Sequence, residues 1–93
     1  MAFQTINATV ATTATVIATV PNYIGQGRAI QIYNNDSASI FIGASNVTAT
    51  GATKGRTLAA GANYQIWVNG GDIIYAVSSA GTTAGAIVVQ YSA

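Results

Sequence analysis

From Asn63 onward the chain repeats one constraining pattern: apolar side chains at every second position, in short runs closed by glycine. In Asn63 to Val68, Tyr64, Ile66 and Val68 fall on one side, and Gln65 and Trp67 on the other. A period of two belongs to a strand, whereas a helix repeats every 3.6 residues. Asn69-Gly70-Gly71 follows as a reverse-turn signal, because Asn and Gly accept backbone angles that other residues resist. Asp72 to Ser78 reads as the next strand, with Ile73, Tyr75 and Val77 on one face and Ile74 and Ala76 on the other. A turn at Ala80 to Gly85 precedes a last strand from Gly85 to Tyr91, with Ile87, Val89 and Tyr91 aligned. The expectation is a three-stranded meander.

Upstream, Arg28 to Tyr33 alternates through Ile30 and Ile32, and Ser39 to Gly43 through Ile40 and Ile42. Asn34-Asn35-Asp36-Ser37 lies between them, which reads as a hairpin. Residues 44 to 61 are rich in Gly, Ala and Thr. They are expected to hold one or two short strands near Val47 and Leu58 and a loop at Gly51 to Gly55. The first twenty residues are mostly Ala, Thr and Val, and branching at Cβ favours extended backbone. A helix over Ala8 to Ala18 is the competing reading, favoured by alanine and opposed by the threonines. The resulting fold is all-β: a small β-sandwich, jelly-roll-like, with seven to eight short antiparallel strands and a small barrel as the alternative closure. Residues 1–21 are expected to be an extended N-terminal arm or edge strand, hinged by Pro21, Gly25 and Gly27, and 22–93 a single β-sandwich domain.

A chain of 93 residues fits one domain with a modest core. Such domains gain stability from disulfides, metals or partner subunits. With no Cys and no His, the first route closes and the commonest metal ligands are missing. Oligomerisation remains. The charged residues are Arg28, Asp36, Lys54, Arg56 and Asp72, 5% of the chain, with net charge +1. Lys54 and Arg56 alone are no basic patch, so no nucleic-acid partner is expected. At 51% hydrophobic residues the chain does not read as disordered. No apolar run approaches a membrane span, and Met1 to Thr5 lacks the pattern of a signal peptide. Glycosylation-type triplets at Asn7, Asn35 and Asn46 are read as chance in a chain rich in Asn, Ser and Thr.

Catalytic constellations are missing. Triads need His or Cys, and the two carboxylates, Asp36 and Asp72, each sit beside a turn, where they bond local backbone. Gly25-Gln26-Gly27 lacks the third glycine and helix of a dinucleotide loop, and Gly51 to Gly55 is no phosphate loop. A calcium site at Asn34, Asn35 and Asp36 matches no known spacing. The chain is read as a non-enzyme with no cofactor and no metal. Trp67, Tyr75, Tyr33 and Phe41 are the candidate oligomer or partner contacts; Trp67, Tyr64 and Tyr75 lie in neighbouring strands. Packing is the common fate of such rings. An exposed Trp67 flanked by polar side chains would instead favour a stacking platform for a sugar ring. Ile73, Tyr75 and Val77 opposite Ile74 and Ala76 make a strand apolar on both faces, so each face should be covered, one by the core and one by a neighbouring subunit.

Ile32-Tyr33-Asn34-Asn35-Asp36-Ser37, then Ile40-Phe41-Ile42-Gly43, Leu58, Gly61, Trp67 and Ile74-Tyr75-Ala76-Val77-Ser78-Ser79 together resemble small virion proteins of tailed bacteriophages. These are head decoration (cement) proteins and head-fibre-like domains. The resemblance runs from about Gly27 to Tyr91 and omits Met1 to Val20. It implies a β-sandwich or jelly-roll subunit, a homotrimer, bound to the major capsid protein on the outer capsid surface and made in the host cytoplasm. It carries no catalytic or ligand residues. The alternative it leaves open is a carbohydrate- or receptor-binding module of a head fibre or tail.

Overall fold

Alternating runs bury one face each, so two sheets stacked face to face satisfy them all. In a computed structural model, which describes residues 3–20 and 28–92, eight strands do so. They are β1 (Phe3–Ala8), β2 (Thr15–Thr19), β3 (Arg28–Asn34), β4 (Ile40–Gly43), β5 (Arg56–Leu58), β6 (Asn63–Val68), β7 (Ile73–Val77) and β8 (Ile87–Ser92). Sheet A has the order β1-β8-β3-β6 and sheet B the order β2-β7-β4-β5, both antiparallel. The pairs β1·β8, β2·β7, β3·β6 and β4·β5 each sum to nine. That is one long hairpin, β1 to β4 running back along β5 to β8, wound into a sandwich, which is jelly-roll connectivity. No described residue is helical, including those of the Ala8 to Ala18 segment.

Ile30, Ile32, Ile87 and Val89 of sheet A and Ile40, Ile42, Ile74 and Ala76 of sheet B meet between the layers, all buried. Burying each Val or Ile contributes about 1.5–3 kcal/mol before the cost of ordering the chain. β2 carries a bulge between Val16 and Ala18. An extra residue in one strand offsets the alternation, so Ile17 and Ala18 are both buried while Val16 is exposed.

Two expectations are corrected by this winding. Arg28 to Gly43 is not a hairpin: β3 lies in sheet A and β4 in sheet B. Nor do the last three strands form a meander, because β7 sits in the sheet opposite β6 and β8. In both cases the turn residues lead the chain across the sandwich, and each strand pairs with one distant in sequence. β4 and β5 are the pair joined directly within one sheet. Their connection holds no strand near Val47. It closes on itself through Thr48, whose N–H donates to Thr53 O (3.0 Å) and whose O accepts from Gly55 N (3.1 Å).

The N-terminal segment supplies β1 and β2, edge strands of opposite sheets, and Val10, Ile17, Ala18 and Val20 join the core. The expected hinge at Pro21, Gly25 and Gly27 lies outside the described residues. Past β1, Val10 exchanges hydrogen bonds with Thr82: its N–H donates to Thr82 Oγ1 and its O accepts from Thr82 N, both 2.8 Å. Past β2, Val20 O accepts from Gly71 N (2.9 Å), where Gly71 holds φ of 91°, a left-handed angle that glycine adopts without a Cβ clash.

Candidate functional site

Among the described residues there is no enclosed pocket and no group of three or more His, Cys, Asp or Glu side chains. What the described residues present to a partner is therefore two open outer sheet faces and one laced end.

The outer face of sheet A follows from strand register. Thr5, Gln90, Gln31 and Gln65 form one row across the four strands. Asn7, Val88, Tyr33 and Asn63 form the next. Trp67 stands beyond Gln65 on the edge strand β6, opposite Ala29 of β3. The amides bond one another: Asn63 Nδ2 donates to Gln31 Oε1 (3.0 Å), and Gln31 Nε2 donates to Gln65 Oε1 (3.4 Å). Gln90 Nε2 reaches Thr5 Oγ1 at 3.5 Å. Trp67 is 72% exposed, because an edge position and an alanine neighbour give the indole little to pack against. Tyr33 is 40% exposed.

The outer face of sheet B is largely apolar, with Thr19 and Thr57 at its two edges. Val16 pairs with Tyr75, Tyr75 with Gly43, and Phe41 with Val77 and Thr57. Val16 (48%) and Ile73 (46%) are exposed, Tyr75 and Phe41 are half-buried, and Val77 is buried. Lys54 lies over the Phe41 ring, 5.5 Å from its centroid, and lends a charged rim to this patch.

The four candidate contact residues thus separate. Trp67 and Tyr33 share the polar face, and Tyr75 and Phe41 share the apolar face on the opposite side. Tyr64 belongs to neither: it packs against the core, capped by the Arg56 guanidinium 4.4 Å from the ring centroid. That stack closes the open side where β5 and β6 are the edges of the two sheets. Val16 and Ile73 escaped the sequence reading as contact residues. Val16 faces outward opposite Tyr75, just before the bulge that leaves Ile17 and Ala18 both buried, while Ile73 carried the signal of a doubly apolar strand.

The corner after β3 is the most densely bonded part of the molecule. Asn34 is fully buried. Its Nδ2 donates to Ala38 O (2.8 Å) and Leu58 O (3.0 Å), and its Oδ1 accepts from Asp36 N (3.0 Å). Its own N–H donates to Ala62 O (3.0 Å), and its O accepts from Gly61 N (2.7 Å). Asp36 accepts from Thr83 N through Oδ1 and from Ala38 N through Oδ2, both 3.0 Å. The backbone N–H of Thr83 foremost, then that of Ala38, holds this carboxyl below its ordinary value, since both bonds favour the charged form. Asp36 and Asn34 bind backbone, and no third ligand group joins them among the described residues.

No family model, curated protein or solved structure matches this chain.

Proposed function

We propose that this chain is a structural virion protein that decorates and stabilises a tailed-phage capsid by binding the major capsid protein on its outer surface, as a homotrimer. The carrying observation is the outer face of sheet B. Val16 and Ile73 are each nearly half exposed beside Tyr75 and Phe41, although the other face of the same strands fills the core. An apolar patch of this kind is a mark of protein–protein contact. A charge-poor chain binds through apolar burial and hydrogen bonds, which salt screens little. The jelly roll agrees with the resemblance read from the sequence, but fold alone assigns no function. The test is co-purification with assembled virions in fixed copy number, with Ile73→Ser and Val16→Ser weakening attachment and trimer formation. A stable monomer at micromolar concentration, or virions free of the protein, refutes the proposal.

A second reading, a carbohydrate- or receptor-binding module, is favoured by one observation: Trp67 is exposed and flanked by Gln65 and Gln31.

A further inference from the structure

We infer that the outer face of sheet A binds a neutral oligosaccharide laid over the Gln31–Gln65 pair and held between the Trp67 and Tyr33 rings. The inference rests on the carbohydrate-binding reading and specifies its site and ligand chemistry.

Along β3, Ala29, Gln31 and Tyr33 point outward in succession, and opposite them on β6 stand Trp67, Gln65 and Asn63. Trp67 and Tyr33 are therefore diagonal corners of a patch whose middle is the glutamine pair. At about 3.4 Å per residue and about 4.8 Å between strands, the corners lie roughly 14 Å apart. That span suits an extended oligomer and exceeds a single ring. The surface is an open sheet face with no pocket among the described residues, which suits a ligand that lies on it.

Charge selects the ligand class. The described side chains of this face are Thr5, Asn7, Ala29, Gln31, Tyr33, Asn63, Gln65, Trp67, Val88 and Gln90, and none is charged at neutral pH. An anionic glycan or a nucleic acid would find no cation here to offset its desolvation. A neutral sugar asks for what the face offers: amides that both donate and accept, to meet hydroxyls, and ring faces to lie against apolar C–H edges. The amides are ordered in advance by the run of hydrogen bonds from Asn63 to Gln31 to Gln65, so less freedom is lost on binding. The indole has one large face that no other described residue covers, given its exposure. Exposed tryptophan beside fixed polar groups is the composition of a recognition surface.

The chain contains a single Trp, so its fluorescence reports this site alone. The experiment titrates the full chain with cello-, malto-, manno- and N-acetylchito-oligosaccharides, with alginate oligomers as the anionic control, by tryptophan emission and by calorimetry. The expected result is binding of at least one neutral series with a blue shift of the Trp67 emission. Calorimetry should then show about tenfold or greater weakening in Trp67→Ala and in Tyr33→Ala, and no change in Asn46→Ala, an exposed residue of the β4–β5 connection outside both faces. Circular dichroism checks that each variant is folded. Binding of a neutral series without an emission shift and undisturbed by both aromatic variants overturns this site and leaves the carbohydrate reading standing. Binding of alginate alone overturns the ligand class. Binding to none of the five overturns both this inference and the reading beneath it.

Discussion

Asn34 looks like any turn asparagine, and replacing it separates a turn residue from a structural hub. A solvated turn asparagine costs within about 0.5 kcal/mol when replaced by alanine. The position found here dictates more. Asn34→Ala removes three side-chain hydrogen bonds. The bond to Leu58 O is buried, so that carbonyl loses its donor and water does not readily take its place; this costs about 1–3 kcal/mol. The partners at Ala38 and Asp36 are half-buried and partly rescued by water, at about 0.5–1 kcal/mol each. The sum is about 2–5 kcal/mol. A chain of 93 residues has roughly 5–14 kcal/mol of stability in total, so the variant folds but sits near the edge. Its Tm should fall by about 8–40 °C, at about 4–8 °C per kcal/mol, and the urea midpoint should drop at unchanged slope.

Asn34→Asp sharpens the test. The shape is kept, but the donating amide becomes an oxygen facing two carbonyls, and when ionised it is a buried charge without a cation. Burial raises its folded-state pKa above the ordinary value of about 3.9. A group raised in the fold is penalised above the unfolded value and relieved as pH falls through the folded one. Asn34→Asp should therefore be the less stable variant at neutral pH and gain on Asn34→Ala on acidification. The assay is urea unfolding of both variants and the parent between neutral pH and about pH 4. A loss below about 1 kcal/mol in Asn34→Ala, or no pH-dependent difference between the two, refutes the corner as a hub.

Asp36→Ala should destabilise the parent at neutral pH, since the folded carboxyl is held below its ordinary value by Thr83 and Ala38 N–H groups. A depressed carboxyl stabilises above the unfolded pKa and loses that contribution as pH falls through the folded one; urea midpoints of parent and variant should converge in acid. Gly55→Ala places a Cβ 2.6 Å from Ile42 O and 2.5 Å from Val47 Cγ2; because a strand carbonyl yields little, about 1–3 kcal/mol is lost, read as a lower denaturation midpoint. Arg56→Ala uncovers Tyr64 and should cost about 0.5–1 kcal/mol, measured by the same unfolding, with Tyr64→Leu abolishing the effect of the second substitution.

Alternation made the inward faces readable. Ile30 and Ile32, Tyr64, Ile66 and Val68, and Ile87, Val89 and Tyr91 point to the core as their spacing requires, and β6 spans the expected residues. Alternation says which side faces in, not which strand lies across. Turn chemistry carries no more: Asn34 to Ser37 and Asn69 to Gly71 would serve a hairpin or a corner equally, and here they serve corners. β1 pairs with β8, with Phe3 opposite Ser92, and no local signal reaches that far. The same limit hid Asn34, whose neighbour Asn35 is exposed, because groups brought from β5 and the turn after it (Leu58 O, Gly61 N and Ala62 O) distinguish them. Trp67 was read correctly as turning away from Tyr64 and Ile66. That its outer side stays bare depended on β6 being an edge and on Ala29 being its neighbour, and both are facts of pairing.

The separation of the four aromatic residues changes how the two functional readings relate. A sandwich has outer faces that point in opposite directions, with about 10 Å between the sheets. If the apolar face of sheet B seats the protein on a capsid or on its own copies, the amide face of sheet A is turned away from that contact. The two readings then describe two sides of one module. Their variants should not interact: Ile73→Ser should leave glycan binding unchanged, Trp67→Ala should leave attachment unchanged, and the double variant should show the sum, as expected for sites without shared partners. Coupling between them would mean that one surface does both tasks, and the assignment of opposite faces to separate partners would fail.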